Sequence, residues 1–332
     1  MLVFIIRRLM QAVVVMVVMS ALVFGGIYLV GNPVAMLISD QASEADRLAV
    51  IRELGLDQPI WQQYLTFVGK ALVGDFGKSF RAGEPAMRLI FQHMPATIEL
   101  AVIAMMFAVL VGVPLGMYAG LRPDSLRARS IMTVSILGFS LPTFWVGLML
   151  IMLFAVALPD WIPGWPRLPS SGRGPTVDIL GLKLSFLTAQ GWLHLLLPAL
   201  TLALAKGALI IRLTRAATRE VLPMDYVKFA RAKGLSERRI VGVHVLKNIA
   251  IPIATVTGLE LGQVIAFAVV TETIFSWPGM GKLLIDSILL LDRPVVVAYL
   301  VIIVFFLVLL NLLVDILYSV LDPRVRLEAT AR

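Results

Sequence analysis

Few residues in this sequence combine the types and spacing that catalysis or metal binding requires. The chain has no cysteine and only three histidines, His93, His194 and His244. Histidines this far apart match no metal-ligand spacing, and the lack of cysteine excludes thiolate ligands and disulfides. Neither an H-E-x-x-H nor a G-x-S-x-G motif occurs. The sequence therefore predicts no catalytic residue and no metal ligand.

Gly77-Lys78-Ser79 is the nearest approach to a nucleotide-binding motif. A P-loop also needs a glycine separated from this triplet by four residues, so that backbone amides can surround the phosphates. That position is Leu72. We therefore expect the chain to bind neither ATP nor any other cofactor itself.

Three ionisable residues lie within long apolar stretches, namely Lys206, Glu260 and Asp315. Charged groups inside a membrane are costly unless they are paired or hydrated, so each is a functional candidate. Lys206 precedes Arg212 by about two turns and can extend toward the membrane surface, and Asp315 ends its stretch. Glu260 is in the middle of its segment. It either lines a solute pathway or forms a structural hydrogen bond between helices.

These residues must be positioned by membrane helices, because 59% of the 332 residues are hydrophobic and the mean hydropathy is +0.91. A helix needs about 20 apolar residues to cross the hydrocarbon core. We predict a single all-α transmembrane domain with six spans, at 9–30, 100–120, 131–158, 190–211, 249–271 and 294–318. The first span could be a cleaved signal peptide, but it is longer than such an apolar region usually is. We expect a retained anchor.

The distribution of Lys and Arg orients the predicted spans. The N-terminus, the second and fourth loops and the C-terminal tail hold 17 of these residues, and the other loops hold 11. By the positive-inside rule both termini are cytoplasmic, residues 31–99 form an external loop, and residues 212–248 form a cytoplasmic loop. The net charge of +8 then reflects topology, so nucleic acid is not an expected partner.

Glycines and prolines within the spans indicate how the helices pack. Gly112, Gly116 and Gly120 recur every four residues in the second span, and Gly258 and Gly262 do so in the fifth. This spacing is typical of faces where helix backbones approach closely. Three prolines should kink or break their helices: Pro114, Pro142 and Pro198.

The 212–248 loop is too long for a simple connection between helices. Residues 218–233 are predicted to form a helix that Pro223 can interrupt, and Gly234 fits the left-handed position after a helix end. Ser236 can cap a second helix that ends near Leu246. The apolar side of that helix either lies on the membrane surface or docks into a partner protein.

Several motifs give the chain a specific resemblance. The run Asp225-Tyr226-Val227-Lys228-Phe229-Ala230-Arg231-Ala232-Lys233-Gly234-Leu235 resembles the EAA loop of binding-protein-dependent ABC importer permeases. Further motifs extend the similarity over nearly the whole chain: Gly55-Leu56-Asp57-Gln58-Pro59, Gly74-Asp75-Phe76-Gly77, Pro95-Ala96-Thr97-Ile98-Glu99-Leu100, Leu141-Pro142-Thr143-Phe144-Trp145, the segment from Thr271 to Gly281, and Leu321-Asp322-Pro323-Arg324. They are similar to the first-subunit branch of the dipeptide, oligopeptide and nickel permease group. Lys228-Phe229-Ala230 stands where the general motif has Glu-Ala-Ala, a departure that resembles the peptide branch.

The resemblance implies a type I ABC importer permease fold in the bacterial inner membrane. It implies a second homologous permease, two ATPase subunits that use ATP and Mg, and an extracytoplasmic solute-binding protein as partners. The expected substrates are di- or oligopeptides, with glutathione, a nickel chelate or an opine as alternatives. The expected ATPase-coupling residues are Asp225, Tyr226, Ala230, Arg231, Ala232, Lys233, Gly234, Leu235, Ser236, Arg239 and His244.

Two further hypotheses remain open at this point. Trp277 and Gly279 belong either to a structural re-entrant turn or to an external gate. The chain as a whole could instead be a secondary transporter driven by an ion gradient, with Glu260 as the coupling carboxylate. Inverted repeats would favour that alternative, but the two halves show no convincing repeat.

Overall fold

A computed structural model describes residues 2–29, 44–53 and 57–321. Six of its helices are long and apolar enough to cross a membrane, which confirms the predicted all-α class with six spans. Some predicted features lie outside the described residues: residues 31–43 of the first loop, Gly55-Leu56, and the tail from Asp322 onward.

In the first half of the chain, the regular elements that the structure describes are helices. Its helices are α1 (Leu2–Leu29), α2 (Glu44–Glu53), α3 (Ile60–Leu72), α4 (Ala86–Leu121), α5 (Leu126–Ser140), α6 (Thr143–Ile151) and α7 (Leu158–Trp161). A π-helical turn, Met152–Ala157, joins α6 to α7.

The second half begins with a two-stranded antiparallel hairpin, β1 (Val177–Ile179) and β2 (Leu182–Leu184). Helices follow at α8 (Ala189–Val221), α9 (Asp225–Ala232), α10 (Glu237–Arg239), α11 (Leu246–Phe267), α12 (Val269–Ile274), α13 (Met280–Leu289) and α14 (Arg293–Leu321). A second π-helical turn, Ile240–Val245, connects α10 to α11.

The chain divides into two compact units, and the larger contains His93–Leu283 and Leu309–Arg332. Within it α4 packs closely on α8 through the predicted glycine face. A Cβ atom at Gly116 would lie 2.6 Å from the Ile211 carbonyl oxygen, and one at Gly120 would lie 2.7 Å from Thr218 Cβ. Only glycine permits helix backbones to approach this closely.

The smaller unit contains Leu2–Gln92 and Leu284–Val308. Its helix α3 lies against α1, where the Ser20 and Tyr64 hydroxyls are 2.8 Å apart and Phe24 packs edge-on to the Tyr64 ring. Ser79, the last residue of the P-loop-like triplet, donates a hydrogen bond from its hydroxyl to the Asp292 carboxylate. That hydroxyl therefore serves a structural contact within the unit.

The predicted third span, 131–158, is not one helix. Helix α5 ends at Ser140, Leu141 and Pro142 have extended backbones with ψ of 133° and 134°, and α6 begins at Thr143. Proline disfavours the helical conformation of the residue before it, which explains the break. The candidate span is Thr143–Trp161.

The 212–248 loop also differs from its predicted helices. The 218–233 helix is interrupted between Val221 and Asp225, at Pro223. The predicted short helix from residue 237 to 246 does not end there, because it continues through the π-helical turn into α11. The fifth span is accordingly Glu237–Phe267, and its helix ends earlier than the predicted residue 271.

Candidate functional site

The candidate coupling residues form a bend that we call the helical corner, residues 222–245. Gly234 follows α9 with φ of 74°, the left-handed conformation that its sequence position predicts. The Gly234 N–H donates to the Arg231 carbonyl at 2.9 Å, and the Leu235 N–H donates to the Ala230 carbonyl at 3.3 Å. These two bonds make a Schellman motif, which satisfies carbonyls at the end of α9 and fixes the direction of the chain.

The helical corner is anchored by its own small hydrophobic core. Val227, Ala230, Ile240 and Val245 are buried there together with Ile249 and Ile253 of α11, next to residues of α4 and α8 such as Met117 and Leu213. Because these side chains come from both arms of the bend, the two arms are held at a fixed angle. Ala230, predicted to contact a partner, is 4% exposed and lies inside this core.

The outer face of the corner is mostly exposed. Eight of the predicted coupling residues are on it, and Leu235 and His244 are half-buried; the eight are Asp225, Tyr226, Arg231, Ala232, Lys233, Gly234, Ser236 and Arg239. Tyr226 is 41% exposed and Phe229 is 61% exposed. Partial burial nevertheless raises the pKa of the Tyr226 hydroxyl. Aromatic rings exposed beside charged residues are typical of a protein contact surface.

Charges on the corner interact mainly with one another. Arg231 Nε donates to Glu237 Oε1 at 2.8 Å, Lys228 Nζ donates to Asp225 Oδ1 at 3.1 Å, and Lys233 Nζ lies 4.6 Å from the centre of the Phe229 ring. Ser236 occupies the predicted N-cap position with ψ of 144°, but its side chain makes no capping hydrogen bond. The bend is therefore fixed by its buried residues and by Gly234.

A second cluster lies beyond the other end of α11, and we call it the Trp277 network: Ala96, Thr97, Glu272, Trp277, and the turn 278–282. Trp277 is buried, and its Nε1 donates to the Ala96 carbonyl at 2.9 Å. The Thr97 hydroxyl donates to Glu272 Oε1 at 2.6 Å and accepts from the Met280 N–H at 2.8 Å. Two motifs that are distant in sequence thus meet through paired polar groups.

Glu272 caps the start of α13. Its carboxylate accepts hydrogen bonds from the backbone N–H groups of Gly281 and Lys282, the latter at 2.9 Å. Burial raises the pKa of the Glu272 carboxyl, while the hydrogen bonds from Thr97 and from the two backbone groups act in the opposite direction. A Cβ atom at Gly279 would overlap the carboxylate, so this turn requires glycine there. For Trp277 and Gly279 the geometry fits the hypothesis of a structural turn.

An ion pair lies next to this network. The Arg173 guanidinium binds the Glu99 carboxylate, and both side chains are at least nine-tenths buried. Glu99 Oε1 also accepts from the N–H groups of Ser185 and Phe186, both at 2.7 Å. The Arg173 guanidinium lies 5.7 Å from the Trp277 ring centre. The ion pair therefore fixes the loop that carries the β-hairpin.

The two ionisable residues of the fourth and fifth spans contact each other. Lys206 Nζ of α8 donates to Glu260 Oε2 of α11 at 2.5 Å. The interpretation that Lys206 extends toward the membrane surface is therefore wrong, because its ammonium group binds the Glu260 carboxylate of the neighbouring helix. The side chain of Asp315, the third candidate, lies outside the described residues.

Sequence reasoning did not select Thr97, Glu99, Arg173 or Glu272 as site residues. Thr97, Glu99 and Glu272 were noticed only as members of family-like motifs, and Arg173 was in none of these motifs. A side chain that pairs with a residue 74 or 175 positions away has no local periodic pattern. A sequence-level indication did exist for the two acids, since Glu99 and Glu272 adjoin apolar spans. Charges in such positions usually have a dedicated partner.

Six candidate membrane-spanning helices define the class of protein as a multi-span membrane protein. The chain matches two family patterns: "Binding-protein-dependent transport system inner membrane component" over residues 112–327, and the N-terminal part of such components over residues 1–101. The chain belongs to this family of ABC importer permeases. The secondary-transporter alternative is not favoured.

Characterised relatives cover nearly the full chain. The chain is 42% identical to the di/tripeptide transport system permease protein DppB of Pseudomonas aeruginosa, over 98% of this chain and 99% of the relative. It is 38% identical to the dipeptide permease DppB of Escherichia coli K12, with the same coverage. It is 35% identical to the glutathione permease GsiC of Escherichia coli O1:K1, over 97% of this chain and 98% of the relative.

A solved structure shares the fold. The MetNI methionine ABC transporter in an inward-facing conformation aligns with a TM-score of 0.53 and 16% identity, covering 71% of this chain and 97% of that chain. At this identity the likeness concerns the fold, and it confirms the predicted type I permease architecture.

Proposed function

We propose that this chain moves di- or oligopeptides across a bacterial inner membrane as one half of a heteromeric ABC importer. The observation that carries the proposal is the similarity over 98% of the chain to permeases named for peptide transport. The similar glutathione permease also handles a peptide, by its name. Peptides are therefore favoured over nickel chelates and opines.

The remaining components follow the same proposal. A second, homologous permease completes the membrane part, two ATPase subunits hydrolyse ATP with Mg, and an extracytoplasmic binding protein delivers the peptide. The excess of Lys and Arg in the N-terminus, the tail and the 212–248 loop supports a cytoplasmic position for both termini and the helical corner. No cofactor is assigned to this chain itself.

The helical corner is proposed to contact an ATPase subunit. Its exposed aromatic and charged residues provide a contact surface, while its buried residues connect the bend to α4, α8 and α11. A movement of the ATPase subunits would thus be transmitted to the membrane helices through a bend of fixed geometry. Ala230 would act from inside the bend, and Ala232 and Gly234 would face the partner.

Gly234→Asp tests this assignment, with Gly234→Asn as the matched control. Asn and Asp have the same size and tolerate positive φ better than other residues with side chains, so the pair separates backbone strain from added charge. No atom of the chain lies within 4 Å of a Cβ at Gly234, so neither side chain is blocked from within. We expect Gly234→Asp to abolish ATP-dependent peptide uptake while the amount of chain in the membrane stays normal.

Two results would contradict the proposal. Normal peptide uptake by Gly234→Asp would remove the role of the corner. A wild-type chain that, purified in mild detergent, never brings a second permease or an ATPase with it would contradict the importer assignment.

A further inference from the structure

The Lys206–Glu260 ion pair joins two helices deep within their apolar segments. Lys206 is in the middle of α8 and Glu260 is in the second half of α11, and both helices are candidate membrane spans. The Lys206 side chain is 24% exposed and the Glu260 side chain is 14% exposed. The pair is therefore incompletely enclosed by the part of the chain that the structure describes.

The same side of α11 carries another exposed polar residue. Gln263 follows Glu260 by three positions, which places it on the same face of a helix, and it is exposed. Phe267, one further turn along, is 76% exposed. Charged and amide groups facing lipid are costly, so this face borders either a wet pathway or another protein subunit.

A peptide carries the complementary pair of charges. At neutral pH its amino end is an ammonium group and its other end is a carboxylate. Separating a membrane-embedded ion pair costs several kcal/mol unless both charges find new partners. A zwitterionic peptide can supply both partners together, whereas a solute with one charge leaves either Lys206 or Glu260 unpaired.

We propose that Lys206 and Glu260 form a binding site for the two charged ends of a peptide in transit. Lys206 binds the peptide carboxylate, Glu260 binds the peptide ammonium group, and Gln263 is placed beside them to hydrogen-bond the backbone amide. This inference rests on the proposed function, because it assumes that peptides pass this chain. It adds a site within the membrane that selects for zwitterions.

The geometry requires the pair to open during transport. The Nζ and Oε2 atoms are 2.5 Å apart, whereas the ends of an extended dipeptide are separated by up to about 7 Å. Lys has a long flexible stem that allows its ammonium group to move away from Glu260. Without peptide the two residues pair again, so neither Lys206 nor Glu260 is left unpaired in the resting state.

The first test removes both charges together, in the double variant Lys206→Met with Glu260→Gln. Replacing a buried ion pair by neutral side chains is often harmless for stability, so a purely structural pair predicts normal transport. A solute site predicts at least a tenfold loss of L-alanyl-L-alanine transported per ATP hydrolysed, measured with the assembled importer in proteoliposomes. A value within twofold of wild type would overturn the proposal.

Two controls accompany this experiment. The variant Asp160→Asn with Arg167→Gln removes a more exposed ion pair, with 52% and 64% of the side chains exposed, and should transport normally. Wild-type importer must first show ATP-dependent L-alanyl-L-alanine uptake. If the wild-type importer takes up no L-alanyl-L-alanine, that result contradicts the proposed function, whatever the outcome for the ion-pair variants.

The second test does not depend on removing the ion pair. Because the chain has no cysteine, Gln263→Cys introduces a unique thiol. In nanodiscs we expect it to react with the cation 2-(trimethylammonium)ethyl methanethiosulfonate in the nucleotide-free or the vanadate-trapped state. The reaction should be at least threefold slower during ATP hydrolysis in the presence of L-alanyl-L-alanine. Phe305→Cys, in an exposed position of the sixth span, should react far more slowly. Absence of labelling at position 263 in both states would overturn the proposal.

Discussion

The helical corner and the Trp277 network lie beyond the two ends of helix α11, and they use polar residues in opposite ways. In the network the Glu272, Thr97 and Trp277 polar groups are buried and hydrogen-bonded within the chain. In the corner most charges are exposed, and the buried residues are apolar. The first arrangement stabilises this chain, and the second leaves groups available for another protein.

This difference predicts where substitutions act. Changes in the Trp277 network should lower the stability and amount of the chain, whereas changes on the outer face of the corner should reduce transport without reducing its amount.

Glu272→Ala should have the largest effect. It removes the acceptor for the Thr97 hydroxyl and for the Gly281 and Lys282 N–H groups, and each buried donor left unpaired costs about 1–3 kcal/mol. We expect a loss of stability of at least about 3 kcal/mol, seen as a lower thermal denaturation midpoint and a reduced amount of chain. Glu237→Ala, at an exposed acid of the corner, is the control. A normal midpoint for Glu272→Ala would show that the network is not structural.

Gly279→Ala and Gly234→Ala should separate steric overlap from backbone strain. A Cβ at Gly279 overlaps the Glu272 carboxylate, which is held by three donors and cannot move freely. A Cβ at Gly234 meets open space, so its cost is the positive φ alone, about 1–2 kcal/mol. Thermal denaturation of the two purified variants should therefore show the greater loss for Gly279→Ala. Equal losses would contradict the proposed packing of the turn.

The sequence predicted the local features of both regions better than their long-range contacts. Six apolar stretches identified the spans, and the residues around Gly234 predicted its left-handed turn, because both signals are local. The break at Pro142 agrees with the expectation that this proline kinks or breaks its helix, although the predicted span, 131–158, ran across it. The continuation of the corner into α11 was missed, because the second helix of the loop was predicted to end near Leu246. Leu246 itself has no property that ends a helix.

Pairs of distant residues could not be predicted. Lys206 and Glu260 are 54 positions apart, and Thr97 and Glu272 are 175 positions apart. Each residue alone indicated only that a partner was needed, since an isolated charge is costly in an apolar surrounding. The identity of that partner depends on how the helices pack, which hydropathy does not specify.

The pH dependence of stability should report on Glu272. Burial raises the pKa of its carboxyl, so the folded chain retains a proton that the unfolded chain loses above the ordinary value of 4.5. The resulting stabilisation is present below that value and is lost as the pH rises through the raised pKa. The midpoint difference between wild type and Glu272→Gln should therefore shrink from pH 4.5 towards pH 8. A difference that grows over this range would mean that the hydrogen-bond donors outweigh burial.

Glu237→Gln should have the smallest effect on stability. It weakens the Arg231–Glu237 bridge, whose side chains are 44% and 64% exposed, and exposed ion pairs contribute about 0–1 kcal/mol. The anchoring residues Val227, Ile240 and Val245 remain buried, so the bend should keep its shape. We expect an unchanged midpoint together with altered salt dependence of ATPase co-purification, because the freed Arg231 can then pair with a partner's acid. A loss of stability as large as that of Glu272→Ala would show that the corner, like the network, is held by its polar groups.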